Sequence, residues 1–129
     1  MIDSLIQQAT DARTRAFAPY SKFKVGAALE AESGEVSTGC NVEGASYGLT
    51  ICAERVALVK AISEGKKGFR RIAIVADTAK LTPPCGACRQ MLWEHAPDAE
   101  VILANLAGET KAYTVRELLP DGFDASLFI

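Results

Sequence analysis

The chain has no block of charge of one sign, no long apolar run, no internal repeat, no linker-like tract and a single histidine, His95. Each absence removes a class of function. Fourteen Lys and Arg stand against sixteen Asp and Glu, a formal net charge of −2, so the one-sided basic stripe that binds polynucleotides through counterion release is missing. That argues against DNA or RNA as a partner and leaves small molecules open. The densest apolar stretch, 72–76, is far too short to cross a bilayer. Asp3 stands where a secretory signal would carry positive charge. The expectation is a cytoplasmic protein with no membrane partner. Disorder is a poor fit, because 49% of the residues are apolar and 23% charged. A length of 129 residues suits one domain, 1–129, able to bury roughly two-thirds of its unfolded surface.

Periodicity supplies the elements. Ile2, Leu5, Ile6, Ala9, Ala12, Ala16 and Phe17 recur at helical spacing, and Pro19 is expected to end that helix. Phe23, Val25, Ala27 and Leu29 alternate with small or polar residues, Ser33-Gly34 turns the chain, and 36–41 reads as the return strand. The segment 51–63 is helical in period and apolar around most of its circumference, the mark of a buried central helix stopped by Gly65. The run 72–76 reads as a strand covered on both faces. Pro83-Pro84 breaks the chain, 86–94 resumes a helix, and 101–105 and 111–114 read as strands. Thr114-Val-Arg-Glu117 has capping-box spacing for a last helix. The order gives an α/β domain, one mixed sheet with helices on both faces.

Four cysteines without a secretory signal are poor evidence for disulfides and read first as metal ligands or catalytic groups. Cys52 opens one predicted helix, Cys85 and Cys88 another. Thiolates there face unpaired N–H groups and the positive end of the helix dipole. Cys85 and Cys88, three apart, share one side of the first turn and can grip one ion. Sulfur ligands select Zn²⁺ over magnesium or calcium, and three of them leave a tetrahedral position open for chemistry. Glu54, two residues past Cys52, is placed to move a proton without ligating the metal. Arg55 and Arg89, beside these ligands, would offset part of the thiolate charge. On spacing alone, a closed site completed by Cys40 or His95, in a non-catalytic zinc-stapled module, stands level with a catalytic one. A redox pair fits less well because it leaves Cys52-Ala53-Glu54 unexplained.

At Cys52-Ala-Glu54-Arg55 and Pro84-Cys85-Gly-Ala-Cys88-Arg89-Gln90 the sequence resembles the zinc signature of the cytidine deaminase family. The similarity extends to Ala18-Pro-Tyr20-Ser-Lys-Phe23-Lys-Val25, Gly39-Cys-Asn41-Val-Glu43, Ala45-Ser-Tyr47 and Leu118-Leu-Pro120-Asp-Gly-Phe123. The similarity as a whole runs from about residue 3 to 123. The resemblance implies a three-layer α/β/α fold with a mixed five-stranded sheet. It also implies zinc-dependent hydrolysis of cytidine and 2′-deoxycytidine to the uridines and ammonia, in pyrimidine salvage. By position, Cys52, Cys85 and Cys88 match the metal ligands and Glu54 the proton shuttle. Phe23 matches the aromatic against the pyrimidine ring, Ala53 a backbone contact to the base, and Asn41 and Glu43 the pair that bonds the ribose. Phe123 matches an aromatic lent by a neighbouring subunit of a homotetramer with shared active sites. The bland alternative for Phe23 is plain core; for Asn41 and Glu43 it is ordinary turn residues. Tyr47 is assigned to either an interface or the pocket.

Two positions depart from the family pattern: Gly44 and Gly48. In a pocket loop they would remove bulk and allow modified cytidines. The absence of a G-x-x-x-x-G-K loop favours nucleosides over nucleotides. The rival within the fold is deamination of another aminopyrimidine or aminopurine, such as a nucleoside antibiotic.

Overall fold

Asp3 accepts a hydrogen bond from Leu5 N at 2.8 Å and so caps the first helix, α1 (Ser4–Arg13). In the computed structural model, which describes residues 3–128, Leu5, Ala9 and Ala12 form its buried face; Ile2 lies outside the described residues. The helix stops at Arg13, short of Phe17. Phe17 is claimed instead by a parallel bridge to Val42, with Phe17 N on Asn41 O at 2.9 Å and Glu43 N on Phe17 O at 2.8 Å. Strand-like pairing there competes with helical continuation and wins.

The strands β1 (Val25–Glu30), β2 (Val36–Cys40), β3 (Arg71–Ala76), β4 (Glu100–Asn105) and β5 (Thr110–Thr114) form one sheet in the order β2-β1-β3-β4-β5. Only β3 and β4 run parallel; the remaining pairs are antiparallel. The sheet is mixed and five-stranded, as the resemblance implies. Alternation along the central strands sorts the core into two layers. Ala27, Leu29, Ile72, Ile74, Val101 and Leu103 face α2 (Ala53–Ser63) and α3 (Gly86–His95). Ala28, Ala73, Val75 and Ala104 face α1 through Leu5 and Ala9. Small residues on the second face let α1 lie close to the sheet.

Two boundaries matter for the site. The helix α2 begins at Ala53, with Cys52 as its extended N-cap, because Ile51 is held in an antiparallel bridge to Val42. Cys85 takes the same N-cap position on α3. The sequence 51–63 therefore reads as helix two residues too early. The last helix, α4 (Val115–Leu118), carries the anticipated capping box: Glu117 N bonds Thr114 Oγ1 at 3.1 Å and Thr114 N bonds Glu117 Oε1 at 2.7 Å.

Candidate active site

Both helices that face the α2–α3 side of the sheet start with a cysteine. β1 and β2 fix one start and the β3–α3 connection the other. The thiols of Cys52, Cys85 and Cys88 consequently meet, all within 4.8 Å of one another. Cys52 Sγ lies 3.8 Å from Cys85 Sγ, which lies 3.6 Å from Cys88 Sγ. Tetrahedral zinc with Zn–S bonds of about 2.3 Å sets its sulfurs about 3.8 Å apart, so the donor set fits the ion in chemistry and in spacing.

The protonation pattern has the same cause. Cys52 is pushed down to about 5, chiefly by the hydrogen bond from the Cys88 thiol and then by the Arg55 guanidinium. Cys88 is pushed up, first by that shared proton with Cys52 and then by burial. The Cys52 thiol ionises readily and the Cys88 thiol resists; a divalent cation between them removes the conflict. Cys40, paired with Gly26 in the β1–β2 ladder, is not part of the group. His95 ends α3, about 10 Å along the helix axis from Cys88 at about 1.5 Å per residue. Neither proposed fourth protein ligand joins the three thiols among the described residues, so the closed-site alternative loses its support.

Cys52 and Cys85 open onto a cavity of about 310 Å³, also lined by Phe23, Asn41, Glu43, Ala53, Glu54, Thr82 and Pro83, with Cys88 buried behind them. That volume is at the lower end for small-molecule sites. A larger cleft of about 610 Å³ lies between α1 and the β4–β5 edge. It contains no thiol, so the chemistry belongs to the smaller cavity. Glu54, in the first turn of α2, is only 5% exposed, and burial raises its carboxyl to about 7. A carboxyl poised near neutrality beside a cavity wall can both take and give a proton. Arg55 Nη2 reaches Cys52 Sγ at 3.7 Å and Thr50 O at 3.3 Å. Arg89 goes elsewhere: Nε bonds Pro84 O at 2.8 Å and Nη1 bonds Leu118 O at 2.9 Å. Of the two arginines expected to offset thiolate charge, only Arg55 touches a sulfur.

Phe23 lies just before β1, lines the cavity and is 43% exposed, which is incompatible with the plain-core reading. Asn41 and Glu43 are buried and hold the chain around it. Asn41 Nδ2 donates to Phe23 O at 2.7 Å while its Oδ1 accepts from Val25 N at 2.9 Å. Glu43 accepts from Tyr20 N at 3.1 Å, Ser21 N at 3.2 Å and the Ser21 hydroxyl. That hydroxyl is the leading cause that holds the Glu43 carboxyl below its ordinary value. Ser21 was not singled out from the sequence, and its only signal there was its place within the Tyr20-Ser-Lys-Phe23 stretch. Thr82, which also lines the cavity, carries no sequence signal at all.

Phe123 is 56% exposed and does not line its own chain's cavity. Tyr47 packs edge-on against Tyr20, centroids 5.9 Å apart, also outside the cavity. Gly44 and Gly48 do not line it either, so the roomier pocket expected from them is not built within this chain.

Residues 1–104 match the family model described as the cytidine and deoxycytidylate deaminase zinc-binding region. A cytidine deaminase of Halalkalibacterium halodurans is 55% identical over 94% of this chain and 92% of its own. One from Sporosarcina psychrophila is 47% identical over 95% and 90%. The crystal structure of cytidine deaminase from Burkholderia pseudomallei superposes with a TM-score of 0.91 at 49% identity, covering 95% of this chain and all of the other. With three thiols at zinc spacing, a buried carboxyl beside them and these relatives along nearly its whole length, the chain belongs to the cytidine and deoxycytidylate deaminase family.

Proposed function

We propose that this chain, acting as one domain over 1–129, hydrolyses the 4-amino group of cytidine and 2′-deoxycytidine, giving uridine or 2′-deoxyuridine and ammonia. The observation that carries the proposal is the trio of thiols at tetrahedral spacing with buried Glu54 beside them. Cys52, Cys85 and Cys88 would hold zinc, which when bound would supply Lewis-acid activation of water. Glu54 takes a proton from the attacking water and delivers it to N3. It then carries the second proton from the new hydroxyl to the amino nitrogen, and ammonia leaves as the C4 carbonyl forms. One water enters and one ammonia departs, so no organic cofactor is needed.

The remaining groups orient the substrate. Phe23 offers an aromatic face to the pyrimidine ring, and Ala53 a backbone contact to the base. Asn41 keeps one amide hydrogen and one lone pair beyond those spent on Phe23 and Val25, and Glu43 keeps lone-pair capacity beyond its contacts to Tyr20 and Ser21. The pair can therefore meet a ribose hydroxyl without releasing the Phe23 segment. Arg55 balances thiolate charge at Cys52.

Phe123 serves the cavity of a neighbouring chain in a homotetramer. Two features support the assembly: Phe123 is displayed away from its own cavity, and exposed Phe17, Val42 and Ile51 lie on adjacent bridged segments. The net charge and small cavity favour a single nucleoside over a polynucleotide. No helix among the described residues is long and apolar enough to cross a membrane, and the reading is of a cytoplasmic salvage enzyme.

The test is ultraviolet absorbance of cytidine with wild type and Glu54→Gln, with zinc measured in both. The variant keeps its zinc and loses roughly 10²–10⁴-fold or more in kcat, the range for a positioned acid–base group. If both proteins hold zinc and neither consumes cytidine or deoxycytidine, the substrate assignment falls while the metal assignment stands.

A further inference from the structure

We propose that Gln90 is a positioning residue that ties the segment carrying Phe123 to the helix carrying Cys88. The proposal rests on the reading above that Phe123 completes the cavity of a neighbouring chain. Gln90 lies on α3 two residues past Cys88. Its side-chain amide grips one residue twice: Nε2 donates to Phe123 O at 2.6 Å, and Oε1 accepts from Phe123 N at 3.2 Å. This is the donor–acceptor pattern that one strand residue presents to another, supplied here by a side chain.

The segment needs such a hold. Past α4, 120–123 has no regular structure, and no helix or sheet ladder bonds its backbone. Besides Gln90, one α3 side chain holds the end of α4 that leads into it and another packs against it. Arg89 bonds Leu118 O with one nitrogen and Pro84 O, beside Cys85, with another. Trp93, one turn past Gln90, packs so closely under Gly122 that a Cβ there would overlap its ring carbons Cδ2, Cγ and Cε2. The thiol-bearing turn and the Phe123 peptide thus belong to one hydrogen-bonded unit. The Phe123 ring is left exposed and stacked on Phe128, centroids 6.1 Å apart. Fixing the peptide while keeping the ring exposed is what presentation to another chain requires. A solvent-exposed ring on an untethered tail would pay its ordering entropy at each encounter.

The experiment uses the zinc-loaded full chain as wild type, Gln90→Ala, Phe123→Ala and the double variant. Readouts are zinc content, amide exchange over 119–128, emission of Trp93 (the sole tryptophan), and KM and kcat with cytidine. Gln90→Ala keeps its zinc, exchanges the Phe123 amide roughly tenfold faster or more, and shifts Trp93 emission to the red. Its KM rises roughly tenfold, as expected for two lost hydrogen bonds, and kcat changes little. The double variant is no worse than Phe123→Ala alone, because Gln90 acts through Phe123. KM effects that multiply, or unchanged exchange in Gln90→Ala, overturn the proposal. If Phe123→Ala leaves KM unchanged while Gln90→Ala speeds exchange, the tie stands and the shared-site reading falls. Gln90→Glu, which keeps the acceptor and loses the donor, gives intermediate exchange; wild-type behaviour in that variant also counts against the tie.

Discussion

Replacing Gly39 by alanine adds one carbon at the closest approach between β2 and α2. Its Cβ would stand 2.5 Å from Ala57 N and 2.6 Å from Ala53 O. Ordinary contact begins near 3.4 Å, so the strand and helix must part by the better part of an ångström. Both obstacles are backbone, and no rotamer change relieves them. Overpacking of this kind costs about 1–3 kcal/mol, and the rigid partners put Gly39→Ala at the upper end. The reduced freedom of the unfolded chain returns about 0.4–1 kcal/mol. The net loss is about 2 kcal/mol, a fall in Tm of roughly 8 °C for a domain of this size.

The damage at Gly39 is directional. Ala53 opens α2, Cys52 caps it and Glu54 lies in its first turn, so a shift of that turn moves one thiol away from the other two. Gly39→Ala therefore gives up zinc to a chelator faster than wild type and loses activity at temperatures where it remains folded. Gly34→Ala is the control. It has open space around the new Cβ and a φ of 90°, so it costs about 1 kcal/mol of backbone strain and leaves zinc untouched. Calorimetry and chelator competition on the two variants decide the matter. A Gly39→Ala protein with wild-type Tm and zinc retention would refute the claim that this contact pins the site.

Three further outcomes follow from the site. Cys85→Ala, which removes the exposed thiol of the trio, lowers zinc below one per chain and abolishes turnover, whereas Cys40→Ala and His95→Ala keep both; zinc loss in either of these would revive a closed site. Glu43 has a folded pKa below its ordinary 4.5 because Ser21 bonds its charged form, so its contribution to stability is complete above about pH 4.5 and fades as pH falls through the lower folded value. Unfolding midpoints of wild type and Glu43→Gln accordingly differ by a constant amount from neutrality down to that point and converge below it; a gap that widens on acidification would contradict the assignment.

The elements and the reactive groups were readable along the chain because both depend on local pattern. Helical spacing, the alternation in 23–29, the apolar run 72–76, the Thr114–Glu117 box and the Cys-x-x-Cys turn each involve residues a few positions apart. Where the reading missed, a distant segment had intervened: Val42 takes Phe17 from the first helix and Ile51 from the second. The site divides in the same way. Sequence determined which residues have the chemistry; the Cys52-Ala-Glu54 and Cys85-x-x-Cys88 spacings pointed to a metal but left a closed site level with a catalytic one, and the family resemblance favoured the catalytic reading.

Tertiary structure alone decided the rest. It set the 3.8 Å between Cys52 and Cys85 across 33 positions, the burial that lifts Glu54 to about 7, and the turn of Arg89 away from the sulfurs. It also decided that Ser21 anchors Glu43 and that Gln90 grips Phe123. Distances and desolvation arise only when segments remote in sequence pack together, and no local pattern encodes which side chain will find which partner.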